Sequence, residues 1–259
     1  MKSLTYYLTL IVIKIAGVKK KFNKDPLDYL KLRQDDVHRP TRKIFNSNSY
    51  RKIALENFIV TEIQPPHANN NLVIFCHGGA FVYGPVAYHW TSAVNIVSQT
   101  KTTLWMVDYP KAPEADIQII SSTVDEVYKI ALKNHPLKKV VFIGDSAGGT
   151  LLTALTQRLV LKQGKLPTLL ILISPVFDAS FSNPEINHLE KKDPILARKG
   201  VLSAKRMAAS KMSLKHPLFS LFTAVLIFSP RHFSLLQRMT LQDQIRNWLL
   251  KKWNKKMWM

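Results

Sequence analysis

Residues 144–148 read Gly144-Asp145-Ser146-Ala147-Gly148, a serine with a glycine two positions away on either side. They follow the apolar run Lys139–Ile143 and precede Thr150–Leu161, whose apolar residues have helical spacing, so the serine stands on a strand-to-helix turn. A turn this sharp leaves no room for side chains at Gly144 and Gly148, and it pushes Ser146 into strained backbone with its hydroxyl exposed. The chemistry that suits such a hydroxyl is nucleophilic attack on a carbonyl carbon. The first free amides of the following helix, that of Ala147 included, point to where the resulting oxyanion would form.

A second group of residues belongs with the first. His77, Gly78 and Gly79 end another apolar run about 70 residues upstream, and glycines there let backbone amides approach a ligand closely. Two N–H groups of this loop and that of Ala147 form the expected oxyanion hole, each donor worth roughly 2.7 to 4 kcal/mol of transition-state stabilisation. His77 precedes the nucleophile in the chain and reads as a structural hydrogen-bonder rather than as the base.

The elements that must position these groups follow from the hydrophobic pattern. Leu72–Cys76, Thr103–Val107, Lys139–Ile143 and Leu169–Ile173 are short, β-branched apolar runs, each expected to be a buried strand. Tyr88–Ser98, Ile119–Leu132 and Thr150–Leu161 carry helical spacing between them. Strand and helix in alternation predict an α/β fold, a mostly parallel sheet with helices on both faces, organised from about residue 56 onward. No internal repeat is visible, and the length is that of one large domain or two at most.

In these motifs the chain resembles the hormone-sensitive lipase group of α/β-hydrolases, esterases with an HGG oxyanion motif and a GDSAGG elbow. Asp108-Tyr109-Pro110-Lys111-Ala112-Pro113-Glu114 is similar to that family's DYRLAPE segment, with Pro110 and Lys111 in place of Arg and Leu. Ser174-Pro175-Val176-Phe177-Asp178 is similar to its SPWLD segment. The resemblance implies a carboxylic-ester hydrolase acting on a small-molecule ester with an apolar acyl chain, through Ser146 and an acyl-enzyme, with no cofactor and no metal. It further implies a helical lid, built from the N-terminal helices and an insertion after the strand that ends near Ile173. On this reading residues 1–50 are lid or cap helices, 51–178 the core, 179–215 the lid insertion, and 216–259 a degenerate or truncated C-terminal part.

That last part departs from the family. The resemblance calls for an acid after a further strand, expected at Ala224–Phe228, and then for a histidine. Asp243 is the only acid after Asp193, within an expected helix Met239–Leu250, and no histidine follows it. His188, His216 and His232 are the histidines downstream of Ser146; His188 and His216 read as surface side chains, and His232 occupies the acid's place. The triad acid and base are therefore unassigned. An altered reading frame, truncation or decay of the C-terminal part is the economical expectation, and an acid and a histidine in a neighbouring frame of the source DNA would support it. A catalytically impaired or vestigial hydrolase that still binds apolar esters is the alternative that follows.

Charge separates the same region. The chain has 37 Lys and Arg against 17 Asp and Glu, a formal net charge of +20, and residues 201–259 hold 11 of the bases but only Asp243 of the acids. Zinc-finger spacing, aromatic ribonucleoprotein motifs and Gly-rich clamps do not accompany these lysines, so nucleic acid is not an expected partner. The N-terminal stretch Leu4–Val18 is apolar, broken by Lys14 and followed by Lys19, Lys20 and Lys21, too short to span a bilayer simply. A packed lid helix, a membrane-surface helix and a secretory signal all remain open for it. With Lys251, Lys252, Lys255 and Lys256, this stretch also supports a third reading, a basic membrane-surface protein. The single thiol, Cys76, demands no oxidising compartment, so a cytoplasmic location, with membrane association through the N-terminal segment, is the expectation.

Overall fold

A computed structural model describes residues 4–55, 58–135, 139–221 and 233–236. The chain opens with three helices, α1 (Leu4–Ile15), α2 (Val18–Lys21) and α3 (Tyr29–Leu32). A hairpin follows, β1 (Ser49–Ala54) and β2 (Ile59–Gln64), and then strands and helices alternate: β3 (Asn71–Cys76), α4 (Ala87–Thr100), β4 (Thr103–Asp108), α5 (Ile117–Asn134), β5 (Lys139–Asp145), α6 (Ala147–Leu161) and β6 (Leu169–Ile173). Two further helices, α7 (Ile186–Lys192) and α8 (Arg198–Ala209), precede β7 (Phe233–Leu236).

The seven strands form one sheet in the order β1-β2-β4-β3-β5-β6-β7. Every pair from β4 to β7 is parallel, whereas β1 and β2 join antiparallel at the β4 edge. The chain leaves β3 toward β4 and returns on the other side of β3 as β5. That reversal opens a crevice beyond the C-terminal ends of β3 and β5, where ligands bind in open α/β sheets.

Strand periodicity decides which residues face which layer. Leu72, Ile74 and Cys76 of β3 join Trp105, Phe142, Leu170 and Leu172 in a core shared with α5 and α6. Val73 and Phe75 join Leu104, Met106 and Ile143 in a second core under Trp90, Val94 and Val97 of α4. Both faces of β3 and β4 are thus covered, which is why their sequences are continuous apolar runs rather than alternating ones. Phe22, Leu27 and Leu32 from the N-terminal segment enter the first core with Ala197, Val201, Ala204 and Ala208 around α8. The Leu27 N–H donates to Ser203 Oγ at 2.9 Å. At Gly200 of α8 a β-carbon would lie 1.9 Å from the Phe22 carbonyl oxygen, so backbone meets backbone there.

The expected strands from Leu72 to Ile173 and the helices between them stand where the pattern put them, each within a few residues of its expected ends. The hairpin was not legible: β1 is exposed or half-buried along its whole length, so neither an apolar run nor a clean alternation marks it. The strand beside β6 is β7, further along the chain than the expected Ala224–Phe228. Residues 224–228, His232, Asp243, the expected helix 239–250 and the C-terminal lysines lie outside the described residues.

One buried carboxylate ties the hairpin to the sheet. Glu62 accepts from Arg51 Nε at 2.6 Å and from Trp105 Nε1 at 2.8 Å. Burial pushes its pKa up, but the hydrogen bonds from Arg51 and Trp105 outweigh this and hold it below the ordinary glutamate value. A carboxylate with a depressed folded pKa stabilises the fold above its unfolded value, and that contribution is lost as pH falls through the folded value. Glu62→Gln is therefore expected to lower stability at pH 7 by about 1 to 3 kcal/mol. The difference from wild type should shrink below roughly pH 4.5, as read by urea denaturation at both pH values.

Candidate active site

Ser146 links the end of β5 to the start of α6 with φ 48° and ψ −113°, a left-handed conformation that a side-chain-bearing residue adopts only under constraint. Its N–H donates to the Ile173 carbonyl at 2.8 Å, and its own carbonyl accepts the first helical bond, from Thr150 N–H at 3.2 Å. The turn is held by close packing. A β-carbon on Gly148 would sit 2.0 Å from the Cys76 carbonyl oxygen, and one on Gly144 would sit 2.5 Å from the Gly149 α-carbon. Both glycines singled out in the sequence are thus places where helix, turn and strand touch through backbone alone.

The same packing brings the oxyanion loop to the serine. A β-carbon on Gly78 would lie 3.2 Å from Ser146 Cβ and 2.7 Å from Asp145 Oδ2. Gly79 has φ 127°, and its carbonyl accepts from Val82 N–H at 2.9 Å and Tyr83 N–H at 3.1 Å, closing a tight turn through Ala80 and Phe81, both at positive φ. Ala147 is the first residue of α6, so its N–H has no acceptor within the helix. Among the described residues no hydrogen bond engages the N–H of Gly78 or Gly79.

His77 is wholly buried. Its ring stacks on Tyr109 at 4.3 Å between centroids, and Tyr109 Oη donates to the His77 carbonyl at 2.8 Å. Nδ1 lies 2.6 Å from the Gly78 carbonyl, which can only accept, so Nδ1 carries the proton. Burial, with the Lys111 charge nearby, pushes the imidazole pKa well below its ordinary value, so the ring is neutral. It shapes the oxyanion loop from inside the core.

Asp145 gathers a group that the sequence did not signal. His89 accepts from Val86 N–H at Nδ1, 2.9 Å away, so its proton is on Nε2, which faces Asp145 Oδ2 at 3.3 Å. Tyr88 Oη donates to the same oxygen at 3.1 Å, and its own ionisation is pushed up by burial and by the Asp145 charge. The start of α4 is thereby fastened to the serine turn. The available signal was the elbow aspartate itself, a charge at a strand end that requires donors.

The two remaining motifs frame the crevice. Asp108 accepts from Lys111 Nζ and from His38 Nδ1, each at 2.6 Å; burial pushes its pKa up, but these partners hold it below the ordinary value. Arg33 pairs with both oxygens of Glu114, at 2.9 and 2.6 Å, and also donates to the Val82 and Ala112 carbonyls. Asp178 takes the amides and hydroxyls of Ser180 and Ser182. Behind it Lys205 is 1% exposed, with Nζ 3.4 Å from the Asp178 carbonyl and 3.3 Å from the centre of the Phe181 ring. Burial pulls the Lys205 pKa down to about 7. His188 and His216 are both exposed, and among the described residues no hydrogen bond joins either to Ser146. The structure thus brings together Ser146, Ala147, Gly78, Gly79, His77, Gly144, Asp145 and Gly148.

Residues 73–249 match a family of alpha/beta hydrolase fold. The chain is 30% identical over 148 residues to an esterase of Acinetobacter venetianus, a match spanning 57% of this chain and 49% of that protein. It is 28% identical over 142 residues to a triacylglycerol lipase of Mycobacterium tuberculosis, spanning 53% of this chain and 32% of that one. The chain therefore spans half or less of the length of these relatives. The crystal structure of an esterase from the bacterial hormone-sensitive lipase family superposes with a TM-score of 0.74 at 20% identity, over 95% of this chain and 82% of that one.

The strain at Ser146 can be measured. Ser146→Gly and Ser146→Ala both remove the hydroxyl, but only glycine adopts φ 48° without penalty. The glycine variant is expected to be the more stable by about 1 kcal/mol, about 2 to 4 °C in melting temperature by calorimetry. Equal melting temperatures would mean the turn stores no strain.

Proposed function

Because this chain belongs to the α/β-hydrolase fold family, we propose that it is a carboxylic-ester hydrolase of hormone-sensitive-lipase type with Ser146 as its nucleophile. The observation that carries the reading is the approach of Gly78 to Ser146, which sets a loop whose Gly78 and Gly79 amides have no acceptor among the described residues beside a half-buried turn serine. Ser146 Oγ attacks the ester carbonyl, and the negative oxygen of the tetrahedral intermediate accepts from the N–H groups of Gly78, Gly79 and Ala147. Collapse expels the alcohol and leaves an acyl-enzyme, which water resolves. The alcohol leaves with a proton, and the proton from Ser146 goes to a base not assigned among the described residues. His77 is a poor candidate for that base because burial pushes its pKa well below the ordinary value and, among the described residues, no hydrogen bond joins it to Ser146.

The substrate read from this site is a small ester with an apolar acyl chain. Residues 18–35 together with α7 and α8 form the cap over the sheet, joined by Leu27 with Ser203 and by Arg206 with Asp25. The N-terminal helix makes peripheral contact with a membrane.

A second reading, an impaired hydrolase that binds esters without turning them over, is favoured by one observation: neither a carboxylate nor an imidazole is hydrogen-bonded to Ser146 among the described residues. In a serine hydrolase the loss of the base costs roughly 10⁴ to 10⁶ in rate. Hydrolysis of p-nitrophenyl esters from acetyl to octanoyl by wild type and Ser146→Ala separates the two. The esterase reading expects a wild-type rate at least ten times that of Ser146→Ala, and fluorophosphonate labelling of wild type alone. Equal rates and no labelling, with octanoate esters still binding, would establish the impaired form.

A further inference from the structure

The amphipathic pattern of α1 is inverted for a helix of a soluble protein. Leu4, Leu8, Ile11, Val12 and Ile15 are 76%, 55%, 52%, 64% and 82% exposed. Their spacing places them on one side of the helix. Ile13, on the other side, is half-buried. After α1 the chain turns at Gly17, at φ 62°, and beyond it the chain is fastened down: Lys19 Nζ donates to the Glu190 and Asp193 carbonyls beside α7, and Phe22 is buried. The stripe is therefore held out on a fixed base.

Its surroundings say what covers it. Lys14 borders the stripe, and Lys20, Lys21 and Lys24 follow it, all four exposed; Lys21 pairs with Asp35 at 3.3 Å and Lys24 with Asp28 at 3.6 Å, so the charge beside the stripe rests on Lys14 and Lys20. Among the described residues no helix is long and apolar enough to cross a membrane, so α1 can lie on a bilayer but not span it. A second copy of the chain would bring these lysines face to face on proteins that each carry a net charge of +20, which disfavours association through α1. A surface apolar in its depth and negative at its head groups answers both features at once.

We propose that α1 is an in-plane anchor that docks on anionic phospholipid, its apolar stripe among the acyl chains and its lysines on the phosphates. This deepens the membrane contact proposed above. It does not depend on Ser146 chemistry, because an ester with an apolar acyl chain is only the cargo such a surface would supply.

The test is co-sedimentation of the full chain with vesicles of phosphatidylcholine containing 30% phosphatidylglycerol, and with vesicles of phosphatidylcholine alone. Wild type is expected to partition at least tenfold more strongly onto the anionic vesicles at 0.1 M NaCl, and to lose most of that preference at 0.5 M. Ile11→Asp should lower partitioning at least tenfold on anionic vesicles. The double variant Lys14→Glu, Lys20→Glu should lower it there at least as much, given about fivefold per lysine near such a surface, while leaving binding to phosphatidylcholine unchanged. Unaltered melting temperatures show that the variants fold. Equal binding to both vesicle types, or no effect of Ile11→Asp, overturns the proposal. So does a wild-type dimer in sedimentation velocity that Ile11→Asp dissociates while vesicle binding is absent. Ser146→Ala assayed alongside must bind vesicles as wild type does, so a failed anchor and a failed esterase are read separately.

Discussion

The contact between Gly148 and the Cys76 carbonyl fixes the geometry on which the site depends. With no side chain between them, the first turn of α6 lies directly on the end of β3, and every other feature of the crevice follows from that distance. It brings Gly78, which continues β3, beside Ser146, which precedes α6. It also forces the reversal at Ser146 to occur within a single residue, so the backbone takes a conformation that it would otherwise avoid. A methyl group at position 148 would have to push apart a strand and a helix that are each anchored in a core layer, and close-packed interiors do not yield by that amount.

Around this contact the polar groups are arranged to keep charge out of the core. His77 and His89 are both buried, and both are fixed in single tautomers by backbone partners, the Gly78 carbonyl for one and the Val86 N–H for the other. Neutral rings cost far less to bury than imidazolium. The negative charge of Asp145 sits at the mouth, where Tyr88 and His89 donate to it.

How much of this was legible depended on the kind of interaction. Buried strands such as Leu72–Cys76 announce themselves because both faces are covered, and the nucleophile turn announces itself because its steric limits permit only glycine at two positions. The β1–β2 hairpin did not, since an exposed edge strand such as Ser49–Ala54 is specified by its partner's hydrogen bonds more than by its own side chains. His89 was missed for a different reason. Its role arises from a contact 56 residues away in sequence, with Asp145, and nothing local distinguishes it from any other residue on α4. The stretch Leu4–Val18 read first as a lid helix, then as a membrane-surface helix or a signal, because all three need the same residues. The side that α1 turns to solvent is a tertiary fact that this pattern does not carry.

The excess of bases over acids has a structural counterpart. With 37 cationic side chains and 17 carboxylates, the chain cannot pair each cation with an anion, and at three of its inter-element joints backbone carbonyls take the anion's place. Lys19 holds the α7 segment through the Glu190 and Asp193 carbonyls, Lys205 reaches the Asp178 carbonyl, and Arg33 clamps Val82 and Ala112 while also pairing with Glu114. A carbonyl partner carries no net charge, so these carbonyl bonds are weakened less by salt than an ion pair such as Arg33–Glu114. Dipoles neutralise less than carboxylates do, however, and the protein keeps its positive field. The same economy that lets a base-rich chain pack its cap therefore leaves exposed lysines such as Lys14 and Lys20 to act on whatever anionic surface the protein meets.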